Sequence, residues 1–225
     1  MSRAILGGAG RPVGFLALMV SLALAGSALA QTLTVAINEG MPGFDPGANN
    51  RTVPSQVYPN IFDKLVGKDV NGQLIPSLAL TWESTGPNTW HLTLREGVTW
   101  HDGAPFTAAD VEFTIERIAN TPELARHVLF NNVTDVEVLG DYEIVIHTER
   151  IDPLLPNNLA ANGAEILPKH YFEAVGVDAA TVSPIGTGPY KFVEYRPDDR
   201  LIVEAYEGHW RGVAPYSQVV FRVIG

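Results

Sequence analysis

Cysteine is absent from the chain, which excludes disulfides, thiolate catalysis and the cysteine-linked lipid that tethers many exported proteins. Stability must therefore come from a packed core, for which 225 residues suffice. Basic residues are few: 15 Lys and Arg stand against 25 Asp and Glu, a net charge of -10. That balance disfavours nucleic acid and anionic lipid, suits cationic or zwitterionic ligands, and also serves plain solubility. Beyond residue 31 no apolar run is long enough to span a membrane. There is no Gly-x-Ser-x-Gly elbow, His-Glu-x-x-His pair or Walker motif. The six histidines are scattered, with no two spaced to offer one metal a common helix face. The sequence thus points to no catalytic residue, no metal and no cofactor. A secreted hydrolase would need a catalytic group that is not to be found.

What is present begins with a leader pattern. Arg3 and Arg11 supply a positive start, Val13 to Leu24 an apolar run too short for a comfortable span, and Ala28-Leu29-Ala30 a small-residue cleavage site. Residues 1–30 read as a signal peptide cut before Gln31, which predicts a periplasmic, soluble, unanchored product.

From Thr32 to Ile37 polar and apolar residues alternate as in a strand, and Gly40 to Gly47 stops it. Val57, Ile61, Phe62 and Leu65 have helical spacing within 57–66, with Pro59 marking a first turn or a kink. Asn71-Gly72 reads as a turn, and strands at Trp82-Glu83 and Thr89 to Leu94 flank Gly86-Pro87-Asn88. Thr107 and Asp110 carry an N-terminal capping signature ahead of Val111, Ile115 and Ile118. Hairpins are expected around Gly140-Asp141 and Pro197-Asp198-Asp199, a loop from Asp152 to Ala164, and a last strand from Val219 to Ile224. His101-Asp102-Gly103 reads as a tight turn and Gly186-Thr187-Gly188-Pro189 as the entry to a strand, since it lacks the Lys and Ser/Thr of a phosphate loop. Trp82, Trp90 and Trp100 read as packing residues.

Two blocks carry a resemblance. The first runs LIPSLALTWESTGPNTWHLTLREGVTWHDG from Leu74 to Gly103 and continues as PFTAADV from Pro105 to Val111. The second is PIGTGPYKF from Pro184 to Phe192, followed by His209-Trp210-Arg211-Gly212. Their order resembles that of the bacterial extracellular solute-binding proteins of family 5, the dipeptide, oligopeptide and nickel-binding class of ABC importers. The resemblance implies an α/β fold: a mixed-sheet lobe of a two-lobed, type II-like periplasmic binding protein, with the second lobe absent from this chain. It implies a first-lobe unit of residues 31–50 and 183–225 with residues 51–182 inserted. It also implies a small-molecule ligand such as a peptide or nickel chelate, an ABC permease as partner, and a monomer when full length. In peptide-binding relatives the acidic residue that meets the ligand's amino group lies on the lobe not represented here. On this lobe the expected ligand-binding positions are Glu39 for a cationic group, Gly40, Met41 and Phe44 beside it, and Asn162 and Gly163 in the later loop. The alternative is a truncated single lobe acting as a periplasmic interaction or chaperone-like module through its exposed apolar face.

Overall fold

The computed structural model describes residues 31–224, so the leader pattern lies outside the described residues. Fifteen helices and strands form two neighbouring layers of structure among them. The first is a four-stranded mixed sheet in the order β1 (Thr32–Ile37), β10 (Gln218–Val223), β9 (Arg200–Ala205), β8 (Tyr190–Arg196). β1 runs parallel to β10, placing Val35 opposite Phe221, and the other neighbours are antiparallel. The second is an antiparallel sheet in the order β4 (Ala79–Gly86), β5 (Thr89–Leu94), β7 (Glu143–Thr148), β6 (Val133–Gly140). A short hairpin of β2 (Val66–Lys68) and β3 (Leu74–Pro76) turns at Asn71-Gly72, as its sequence predicts.

Alternation decides which side of the antiparallel sheet is buried. In β5, Leu92 and Leu94 point inward between Thr and His residues, and Leu92 lies opposite Ile144 of β7. Over that face lies α2 (Ala108–Ala119), whose Val111, Ile115 and Ile118 are fully buried. Burial of such a side chain is worth about 1.5–3 kcal/mol, and α2 adds three of them to Trp100, Phe106 and Phe130 in one core. The helix begins where the sequence says. The Asp110 carboxylate accepts hydrogen bonds from the Thr107 N–H (2.9 Å), the Lys169 N–H (2.9 Å) and Trp100 Nε1 (3.3 Å). These bonds compensate a burial that pushes its pKa up.

Two readings are corrected. The first helix, α1, spans Thr52–Ile61 and not 57–66. Pro59 sits in its last turn, where the missing N–H costs one bond to the Ser55 carbonyl, and Phe62 leaves in an extended conformation. Leu65 matches the helical spacing only by coincidence, since Leu65 and Val66 are buried in the core of the antiparallel sheet. Likewise, the segment from Asp152 to Ala164 is not all loop: α3 (Leu155–Leu159) buries Leu155 and Leu159 in that same core.

The second core lies on the mixed sheet, where Leu201, Val203, Val219 and Phe221 meet Val57, Tyr58 and Ile61 of α1. Phe172 of α4 (Lys169–Val175) and Ala180 of α5 (Val177–Ala180) complete it. Helices α1, α4 and α5 thus pack on the mixed sheet although they fall within residues 51–182.

The two layers are joined at the Gly-Thr-Gly-Pro segment. Gly188 donates its N–H to the carbonyl of Ile61 at 2.9 Å, and Thr187 donates its hydroxyl to Asp63 Oδ2 at 3.1 Å. A Cβ on Gly186 would stand 1.9 Å from the Ile61 carbonyl oxygen, so glycine is required by close backbone approach. Trp210 Nε1 also donates to Asp63 Oδ2, at 2.9 Å, and Arg95 and Arg211 each stack on the indole at 4.2 Å. Thr187 of the Gly-Thr-Gly-Pro motif and Trp210 of the His-Trp-Arg-Gly motif therefore meet on one carboxylate, that of Asp63.

Candidate functional site

Beyond β1 the chain forms a long loop, residues 38–51, that is pinned from several sides. Tyr195 Oη donates to the Met41 carbonyl at 2.7 Å, Tyr58 Oη donates to the Gly43 carbonyl at 3.0 Å, and the Phe44 N–H reaches the Thr181 carbonyl at 2.9 Å. Burial pushes both phenols up, the Asp198 charge adding to it at Tyr195, so each remains a donor. Farther along, the buried Asp45 receives both terminal nitrogens of Arg117, at 3.2 and 2.5 Å, and the Gly47 N–H at 3.0 Å. Arg126 closes the loop through the carbonyls of Gly47 (3.0 Å) and Asn49 (2.8 Å). This density of bonds fixes the loop as a rigid surface on the mixed sheet.

Two adjoining cavities open against it. One, of about 410 Å³, is lined by Met41, Phe44, Val182 and Tyr195 among others. The other, of about 450 Å³, is lined by Glu39, Gly40, Met41, Arg51 and Asp198 among others. The expected residues Glu39, Gly40, Met41 and Phe44 are thus brought to one place. Their environments differ, however. Phe44 is almost wholly buried, its ring edge-on to Phe192 (5.3 Å) and Tyr195 (5.6 Å), so it forms the back wall and not a mobile contact. Glu39 is already paired with Arg51.

Asn162 and Gly163 line neither cavity. Asn162 Oδ1 accepts from Lys64 Nζ at 2.8 Å, and the Gly163 N–H donates to the buried Glu165 carboxylate at 2.6 Å. Burial pushes Glu165 up, Lys64 opposing it. Gly163 has φ +96, and a Cβ there would fall 2.3 Å from Arg126 Cγ. Gly163 therefore lets the loop after α3 pack against Arg126, which in turn holds Asn49, while Asn162 ties that loop to Lys64.

Sequence reasoning did not single out Arg51, Val182 or Tyr195 as cavity residues, and read Pro197-Asp198-Asp199 only as a turn. The tip of that hairpin lies over Gly40, and nothing in the local sequence signals a contact between segments so distant along the chain. Among the described residues no group of three or more His, Asp or Glu is placed to hold a metal. No helix among them is long and apolar enough to cross a membrane.

A rigid loop at the end of the first strand of a mixed sheet, with open cavities beside it and an inserted antiparallel layer, is the arrangement of one lobe of a two-lobed α/β binding protein. NikZ from Campylobacter jejuni, solved in complex with Ni(L-His), superimposes with a TM-score of 0.78 at 28% identity, over 87% of this chain and 39% of that one. The chain belongs to the bacterial extracellular solute-binding proteins, family 5, whose model, described as "family 5 Middle", matches residues 73–225. It is 29% identical over 188 residues to the glutathione-binding protein GsiB of Pectobacterium atrosepticum, covering 83% of this chain and 36% of that protein. It is 30% identical over 234 residues to the dipeptide-binding protein of Escherichia coli K12, covering 91% of this chain and 43% of that protein. The chain thus spans about two fifths of the length of these relatives. The two curated relatives are binding proteins by name, and neither they nor NikZ is named as an enzyme.

Proposed function

We propose that the chain is part of the substrate-binding component of an ABC importer, which captures a small solute, a peptide or peptide-like molecule, in the periplasm. The solute is then delivered to a permease in the inner membrane. The observation that carries this reading is the pair of open cavities on the pinned loop after β1, beside the residues Glu39 to Phe44. The ligands named for the relatives, glutathione and a dipeptide, support a small polar solute. The corresponding organisation has residues 31–50 and 183–225 in the first-lobe unit and 51–182 inserted, with α1, α4 and α5 of the insert packed back on the first sheet.

Physically, a second lobe closing over these cavities removes solute surface from water, and the closed form is the one a permease distinguishes. Transport then depends on a difference in solute affinity between open and closed states. Native mass spectrometry of the protein isolated from the periplasm of its own host tests this. A retained small-molecule adduct is expected. A protein recovered from elsewhere in the cell, or one free of adduct and unshifted in melting temperature by dipeptides and nickel-histidine, overturns it.

A further inference from the structure

The two cavities beside the loop share Met41, Pro42, Tyr195 and Pro197, and so form one groove. One end, at Phe44 and Val182, is apolar. The other carries three charged side chains: Glu39, Arg51 and Asp198. They do not count equally. Glu39 and Arg51 form an ion pair and cancel. Asp198 has no such partner among the described residues, because the nearby Arg196 is committed to Glu194, and Arg200 to Asp199 and Glu194.

The position of Asp198 is fixed by the backbone. It is the one non-glycine residue with positive φ (60°) among the described residues, at the tip between β8 and β9. On one side Tyr195 Oη ties the hairpin to the Met41 carbonyl at 2.7 Å, and on the other the Val223 N–H donates to the Asp199 carbonyl at 2.9 Å. The carboxylate faces the floor of the groove: a Cβ built on Gly40 would lie 3.6 Å from Asp198 Oδ1 and 3.0 Å from Tyr195 Oη. Any side chain at position 40 would crowd the space between loop and hairpin.

We propose that Asp198 is the uncompensated charge this groove presents to its solute, and that the groove takes a cationic group joined to an apolar one. The inference rests on the reading that the groove binds solute. It replaces Glu39 in that role, because Arg51 already occupies the Glu39 carboxylate. A cation at the polar end would meet Asp198, while the attached apolar part would lie against the wall of Met41, Phe44 and Val182.

Leucyl-lysine and leucyl-Nε-acetyl-lysine differ in that charge, and calorimetry with the whole protein from its own host measures both. The wild type is expected to bind leucyl-lysine about threefold more tightly, a difference in keeping with one charge-assisted contact to an exposed carboxylate. Asp198→Asn should erase the preference without lowering the melting temperature, since asparagine tolerates the same positive φ. Arg51→Gln should enlarge it by leaving Glu39 uncompensated. Equal affinities in the wild type, or a preference that survives Asp198→Asn, overturn the proposal. If neither dipeptide binds yet the protein retains another solute in native mass spectrometry, the proposed solute class falls while the binding function stands. If neither binds and no solute is retained, the binding function falls as well.

Discussion

His101 and Gly186 are bonded to each other twice: the His101 N–H donates to the Gly186 carbonyl at 2.9 Å, and the Gly186 N–H donates to His101 Nδ1 at 3.0 Å. The other ring nitrogen, Nε2, donates to the Gly188 carbonyl at 2.9 Å. One imidazole therefore reads a donor and an acceptor of the same loop, which only the neutral Nε2–H tautomer can do. It is also the main link between the turn of the antiparallel layer and the entry to β8.

Acid should loosen this link. Burial is the largest influence on His101 and holds its pKa near 4, against an ordinary 6.5. Because the folded value is the lower one, the unfolded chain binds more protons between those limits. The contribution of His101 to stability is complete above about pH 6.5 and is lost as pH falls toward 4, by up to about 3 kcal/mol. Urea denaturation from pH 4 to 7 should show that slope in the wild type and a flatter profile in His101→Gln.

At Gly186 the expected effect is steric. Gly186→Ala puts a methyl group 1.9 Å from the Ile61 carbonyl oxygen, and backbone at a helix end cannot yield cheaply. A loss of about 3 kcal/mol or more is expected. Gly72→Ala, where φ is +79 but space is open, should cost only about 1 kcal/mol. Comparable denaturation midpoints for the two variants would contradict the argument.

The pair of Asp45 and Arg117 ties the groove loop to α2 with both side chains largely buried. Arg117→Met leaves a buried carboxylate without its cation and should cost about 3–5 kcal/mol, whereas the double variant with Asp45→Leu should recover much of the loss. A double-mutant cycle by chemical denaturation measures the coupling. Additive losses would mean that the two residues act separately.

The legible parts of this fold were those encoded within ten residues or so. Alternation gave β1, β5 and β7, the Asn71-Gly72 and Gly140-Asp141 turns gave hairpins, and Asp110 gave the start of α2. The start of α1 was hidden because Arg51 offers no capping side chain and Pro54 and Pro59 both interrupt the pattern. Half of the candidate site was legible, since Glu39 to Phe44 follow a strand end directly. The remainder depends on pairings between distant segments: Tyr195 with Met41, Arg126 with Gly163, and the tip at Asp198 over Gly40. No local period encodes these, so the charge balance of the groove could be read only from the assembled structure.

The parallel pairing of β1 with β10 joins the two ends of the described chain. Gln31 bonds to Ser217 across a separation of 186 residues, so the first strand has no sheet partner until nearly all of the described chain is available. The antiparallel layer, built mostly from hairpins, can form while β1 still waits. All four strands of that layer are in hand by Thr148, whereas the mixed sheet closes only with Gln218–Val223, so a chain cut short anywhere between residues 148 and 218 would keep the one sheet and lose the edge of the other.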